Sequence, residues 1–309
     1  MASVKEFYFP SSDGVHSCYA RQWLPDGQPK AVVQLIHGVA EYVDRYDAFA
    51  RFLAEHGFAV CGHDHLGHGK TGASDGKFGY FGKHDGWTLV TADVRLLRQQ
   101  MGEQFPDIPY FLLGHSMGSF LARTYLCRYP GTVDGAILSG TGQEPSITVA
   151  AGKVLCSLLC TLKGTDSRSK FVYNLSLGAY NKQFEPSRTS ADWISRDEDL
   201  VDRYLQDPFC SFQPTVGLMR DMMGGLQYIA NRRALSQMDK NTPIYFFSGD
   251  RDPVGQNGDG VKKVCGFFRA AGCTDVTLKL YPDGRHEMLN EINKDEVWAD
   301  TLAWLEEKL

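Results

Sequence analysis

The chain has 309 residues, a formal net charge of −5, and 43% hydrophobic against 22% charged residues. That length suits one large α/β domain carrying an insertion, and the composition is that of an ordinary globular protein. With no basic run, the charge balance gives nucleic acid no place as a partner and favours a neutral, apolar or weakly charged small molecule.

The first six residues include an acid and no uninterrupted apolar core, so no signal peptide is expected. No apolar stretch is expected to reach the roughly 20 residues of a spanning helix. The eight cysteines form no Cys-x-x-Cys pair, and Cys61, Cys127 and Cys265 sit in apolar runs where the thiol acts as a small hydrophobe. A cytoplasmic protein without disulfides is expected.

In chain order, residues 5–9 and 16–23 flank Ser12-Asp13-Gly14 and predict a hairpin. Residues 31–36, 58–61, 110–113, 135–138, 244–247 and 276–280 are apolar almost throughout and predict buried strands of a parallel sheet. Between them, residues 46–56 place Phe49, Phe52 and Leu53 on one helical stripe that Gly57 stops; 87–101 and 297–309 have the same character. The expected fold class is α/β: a mostly parallel central sheet with an antiparallel edge and helices on both faces. From about Gly142 to Leu226 the rhythm breaks into helix-like pieces separated by Gly, Pro and Ser. This predicts a core of residues 1–141 and 227–309 with a helical insertion at 142–226.

Gly114-His115-Ser116-Met117-Gly118 follows a predicted strand and opens a predicted helix running to Tyr129. A nucleophile elbow needs that sharp turn, with small residues two before and two after the serine so that backbones can approach. Ser116 needs a base to take its proton, and the base needs an acid to orient it. His286 is the one histidine downstream, in a loop after the last strand. Asp250 and Asp252 both follow residues 244–247. Asp252, further from the strand and before Pro253-Val254, is preferred, while Asp250 suits a turn cap or a pair with Arg251. The oxyanion donors are expected to be the backbone N–H groups of Met117 and Val39, with Gly38 allowing the turn. His63, Asp64, His65 and His68 crowd a Gly-rich segment that is read as a structural turn, with buried hydrogen bonds from Asp64 and His68. Neither metal nor cofactor is expected.

His37-Gly38, Asp64-x-x-Gly67-His68-Gly69, the Gly114–Gly118 elbow, Gly249-x-x-Asp252 and His286 together resemble the monoacylglycerol lipase and lysophospholipase group of α/β-hydrolases. Residues 192–197 and 204–208 look like its bacterial branch. The resemblance implies an α/β-hydrolase fold, nucleophile Ser116, acid Asp252, base His286, oxyanion donors Val39 and Met117, and a helical cap over the site. Ala40 and Tyr42 depart from the group's His-Gly-x-Gly-Glu-His loop, and Tyr42 with Val39 is expected to narrow or reshape the acyl entrance. Substrate contacts are expected from His37, Gly38, Tyr42 and His115, and from Leu155, Leu159, Phe209, Phe212 and Met222 of the insertion. Residues 154–162, flanked by Lys153 and Lys163, suit an acyl channel, a transient membrane-surface contact, or plain packing within the cap. The expected function is hydrolysis of a lipid-like carboxylic ester. A peptidase reading would use Glu144, Glu185 or Asp192 to hold a substrate ammonium, and a non-catalytic binding protein would not need a complete triad.

Overall fold

Five of the six apolar runs become strands buried on both faces, as expected when helices sandwich a parallel sheet, whereas the last, 276–280, forms an edge strand that is mostly half-buried. A computed structural model describes residues 2–309. The strands are β1 (Ser3–Pro10), β2 (Ser17–Leu24), β3 (Val32–Ile36), β4 (Ala59–His63), β5 (Tyr110–His115), β6 (Gly135–Ser139), β7 (Ile244–Gly249) and β8 (Val276–Tyr281). They form one sheet in the order β1-β2-β4-β3-β5-β6-β7-β8. β2 runs antiparallel to both β1 and β4, and the remaining neighbours pair in parallel.

The helices are α1 (Asp47–Glu55), α2 (Gly69–Ala73), α3 (Gly86–Gln104), α4 (Met117–Arg128), α5 (Ser146–Lys163), α6 (Lys170–Leu175), α7 (Glu198–Gln206), α8 (Val216–Ile229), α9 (Arg232–Ser236), α10 (Asp259–Ala270) and α11 (Lys294–Glu307). Alternate residues of each strand serve different cores. Val33, Leu35, Phe111, Leu113, Tyr245 and Phe247 meet Phe49 and Leu53 of α1 and Val297 and Leu305 of α11. Val32, Ile36, Leu112, Leu138 and Phe246 face α3, α4, α8 and α10 through side chains such as Val94, Leu121, Leu218 and Phe268. The period-two alternation therefore separates two apolar layers, and a strand between them reads as continuously hydrophobic.

Helices α5 to α8 lie between β6 and β7, where the sequence predicts an insertion. The expected boundary at 226 falls inside α8, which packs against α3 and α4 as well as α5. Gly225 makes this contact possible, because a Cβ there would run into the Trp87 indole of α3. α8 is thus part of the layer covering the sheet. The expectation about spanning segments also needs correction. The 18-residue α5 is long and apolar enough to cross a membrane by length and composition, and little of it is buried. At the sequence level, Ser, Thr and Lys residues spaced through this helix break up its apolar run.

Candidate active site

The elbow is set by steric demands on the backbone. β5 ends at His115, α4 starts at Met117, and Ser116 between them has φ +54° and ψ −122°. That conformation is costly for a residue with a Cβ and persists only where the surroundings enforce it. The Ser116 N–H donates to the Ser139 carbonyl of β6 at 2.9 Å. A Cβ on Gly114 would strike the Gly118 carbonyl, and one on Gly118 would overlap the Ile36 carbonyl of β3. The two glycines let α4 leave the sheet steeply enough to expose the serine at its edge.

Ser116 and His286 line the same cavity, of about 200 Å³, at the C-terminal ends of the parallel strands. His286 Nδ1 lies 3.0 Å from Asp252 Oδ1, and both side chains are buried. Asp252 also accepts from Ser248 Oγ at 3.1 Å and from the Val254 N–H at 2.9 Å, so its carboxylate is fully oriented. Asp250 instead accepts the Asp283 N–H at 2.8 Å and caps the turn. Burial alone would lower the His286 pKa. The Asp252 carboxylate and its hydrogen bond outweigh burial, so the ring titrates above its ordinary value.

The loop after β3 lies against the elbow. A Cβ on Gly38 would sit 3.0 Å from the Ser116 Cβ and 3.4 Å from the His115 carbonyl oxygen. Val39 lines the cavity beside Ser116, and Met117 opens α4, so its N–H lacks an intrahelical partner and lies at the positive end of the helix dipole. The Gly38 N–H donates to Glu41 Oε1 at 2.5 Å. Arg45 reaches Glu41 at 3.1 Å and clasps Glu287 through two bonds of 2.7 and 2.8 Å. Burial pushes the Glu41 carboxyl up to about 7, with Arg45 opposing and Glu287 adding to the rise. Burial would also raise Glu287, but the Arg45 fork holds it below its usual range. This buried bridge ties the loop after β3 to the residue next to His286. Sequence reasoning missed it. The available signal was Glu41 and Arg45 four residues apart in that loop, with Glu287 beside the histidine.

Of the expected substrate contacts, His115 and Phe212 line the cavity, as does Val39. Seven expected contacts lie outside its walls. His37 is buried behind the loop: its Nδ1 faces the Gly38 carbonyl at 2.8 Å and its Nε2 accepts from the His65 N–H at 3.0 Å. Gly38 contributes backbone approach only. Tyr42 is pinned by its hydroxyl to Asp207 at 2.7 Å, and Phe209 packs on Tyr42 and Phe78. Met222 is buried in the core layer, and Leu155 and Leu159 pack against that layer from outside. The apolar wall comes instead from Tyr173, Leu177, Trp193, Ile194 and Leu205. The Trp193 ring lies 4.9 Å from the His286 ring, tilted by 38°, and its carbonyl accepts the His286 backbone N–H at 3.4 Å. Trp193 and Ile194 sit in an irregular turn, while Tyr173 and Leu205 lie on the short helices α6 and α7, where periodicity marks an apolar face but not that it meets a cavity.

In the Gly-rich turn, Asp64 accepts the Val43 N–H at 2.9 Å and the Lys70 N–H at 2.7 Å, and His68 Nδ1 faces the Leu66 carbonyl at 2.9 Å. Burial pushes Asp64 up to about 7 and His68 down to about 4. Among the described residues, no group of three His, Cys, Asp or Glu side chains is arranged to hold a metal ion.

The family model described as serine aminopeptidase, S33, matches residues 27–293. The chain is similar to a monoacylglycerol lipase of Mycolicibacterium smegmatis, at 31% identity over 97% of this chain and 96% of that one. It is similar to the human monoglyceride lipase at 26% identity, over 96% and 89% of the two chains. Among solved structures it resembles a highly thermostable carboxyl esterase from Bacillus coagulans in complex with glycerol. The TM-score is 0.92 at 32% identity, covering 99% of both chains.

Proposed function

The chain belongs to the serine aminopeptidase S33 family, in its monoacylglycerol lipase and lysophospholipase group of α/β-hydrolases, and from that premise we propose that it cleaves medium- or long-chain acyl esters through an acyl-enzyme on Ser116. That it is a carboxylic-ester hydrolase follows from its lipase and esterase relatives. The observation that carries the finer reading is the 3.0 Å His286–Asp252 hydrogen bond in a cavity shared with Ser116.

In the first half-reaction, Ser116 Oγ bonds to the acyl carbon while His286 Nε2 takes its proton. Asp252 holds the ring through Nδ1–H and stabilises the imidazolium. The oxyanion is met by the N–H groups of Val39 and Met117. Collapse breaks the ester C–O bond, and the leaving alcohol oxygen takes the proton from His286. Water then attacks the acyl-enzyme by the same route, releasing the carboxylic acid and restoring the serine.

The alcohol is proposed to be glycerol or a glycerol-based headgroup, as in monoacylglycerols or lysophospholipids. The monoglyceride-lipase relatives and the glycerol-bound esterase support this. Ligand pockets usually occupy about 300–1,000 Å³. At about 200 Å³ the cavity admits a long acyl chain only if its covering segments shift. Those segments, lying between β6 and α8, are proposed to act as a cap. Exposed Val154, Leu158 and Leu162 of α5, with Lys163 at its end, are proposed to contact a lipid surface transiently. Eight unpaired cysteines support a cytoplasmic location.

A peptidase has less support. Glu144, Glu185 and Asp192 do not line the cavity, and the two acids that do, Glu41 and Glu287, are engaged by Arg45. The test is a panel of p-nitrophenyl esters of rising chain length beside amino-acid anilides, with fluorophosphonate labelling. Ser116→Ala should lower kcat by about 10⁴-fold or more and abolish labelling. Retained labelling, or faster turnover of anilides than of every ester, would overturn the reading.

A further inference from the structure

Three arginines converge on a second cavity, of about 350 Å³, beside the proposed catalytic loops. Arg251 directly precedes Asp252, Arg285 directly precedes His286, and Arg196 belongs to the segment bearing Trp193. The loops are already in contact, since the Arg251 N–H donates to the Gly284 carbonyl at 3.0 Å. The insertion joins them through Gln183, whose Nε2 donates to the Arg251 carbonyl at 2.6 Å.

The charges here are unbalanced. Arg196 is paired with Glu291 at 3.1 Å. Arg285 spends its donors on the carbonyls of Asp192 and Ser195 and lies 4.3 Å over the Phe184 ring. Among the described residues, neither Arg285 nor Arg251 has a carboxylate at ion-pair distance. Burial holds the Arg285 guanidinium below its ordinary value; the Glu291 and Asp192 carboxylates oppose that shift and the charge of Arg196 adds to it. Asp283 is the single carboxylate on the wall, against three guanidinium groups, and the Asn257 amide adds a further donor. Guanidinium forks match the oxygens of a phosphate, and once Glu291, the partner of Arg196, is counted with Asp283 the three guanidinium groups still leave one positive charge in excess, which favours an anion.

We propose that this cavity is a phosphate-binding site, taking free phosphate or a phosphate monoester, and that occupancy clasps the 183–196 segment onto the loops carrying Asp252 and His286. The bound anion relieves the repulsion among the arginines and bridges three separate chain segments. The site is chemically distinct from the ester cavity and does not depend on which bond is cleaved there.

The experiment is isothermal titration and thermal unfolding of the full chain with inorganic phosphate, glycerol phosphate or acetate at constant ionic strength set by chloride. Saturable phosphate binding is expected, with Tm raised by roughly 3 °C at about ten times Kd. R251Q alters an exposed side chain and should weaken binding about tenfold, while D283N removes the one carboxylate and should tighten it. Equal affinities for phosphate and glycerol phosphate would assign recognition to the phosphate group alone. Tighter glycerol phosphate would assign the monoester. Absence of saturable heat, acetate binding as tight as phosphate, or unchanged constants in both variants would overturn the proposal. Because the readout is heat and unfolding, a failure here is separable from failure of the esterase reading, which is tested at Ser116.

Discussion

The sheet and the segments covering its C-terminal edge are built by opposite rules. Every residue of β3 to β7 is buried. In α5 only Val149 and Cys156 are buried, while Val154, Leu158 and Leu162 are 70%, 55% and 69% exposed. The sheet holds the proposed reacting groups at the ends of closely packed strands, where a small displacement would cost rate. α5 therefore has far less packing around it than the strands have, the condition that the proposed movement of a cap would need. The proposed reacting groups rest on the densely packed region, and the proposed cap belongs to the loosely packed one.

That contrast can be tested at several levels. The largest effect is expected at the acid. Asp252→Asn should lower kcat by about 10⁴-fold, whereas Asp250→Asn, at a turn cap, should change it little; ester kinetics that reversed the two would exchange their roles. Next, Phe246→Ala in the sheet should cost about 3–5 kcal/mol in denaturant unfolding, against within about 0.5 kcal/mol for Leu158→Ala on α5. Similar losses would erase the distinction between the regions.

A smaller effect is expected from pH. His286 must be neutral to accept the serine proton, so kcat/KM should rise about tenfold per pH unit below a midpoint that lies above its ordinary value of 6.5. The same raised pKa stabilises the fold. That contribution is fully present below 6.5 and is lost as pH rises through the folded-state value. A kinetic midpoint below 6.5 would mean that Asp252 does not charge-stabilise the ring. Smallest of all, Leu158→Glu should reduce partition onto anionic vesicles about tenfold, the scale of one leucine withdrawn from an apolar phase, while hydrolysis of a short soluble ester stays unchanged. Unaltered partition would show that the α5 face does not meet lipid.

Much of the fold was legible, because burial on both faces leaves unbroken apolar runs, and the runs at 110–113 and 244–247 fall inside β5 and β7. The hairpin and the helix after Ser116 were legible for the same local reasons: turn residues, then periodicity. The end of the insertion was not. α8 is apolar like α5, and only its contacts with α4 and, through Gly225 and Trp87, with α3 place it in the core layer. The expected acyl lining also differs from the residues that wall the cavity. Leu155, Leu159 and Met222 were chosen for hydrophobicity, yet hydrophobicity does not distinguish a side chain that packs on the core from one that faces a cavity.

The sequence by itself determined where the backbone must turn sharply and which residues lie there. Gly114, Ser116 and Gly118 are dictated by close approach within a few residues, and the aspartate and histidine candidates follow strands that their own composition reveals. Only the tertiary structure decided which aspartate meets His286, that Trp193 forms the wall beside it, and that Arg45 joins Glu41 to Glu287. Those contacts link residues far apart in the chain, so no local spacing encodes them. They exist because the parallel strands deliver separate loops to one edge of the sheet.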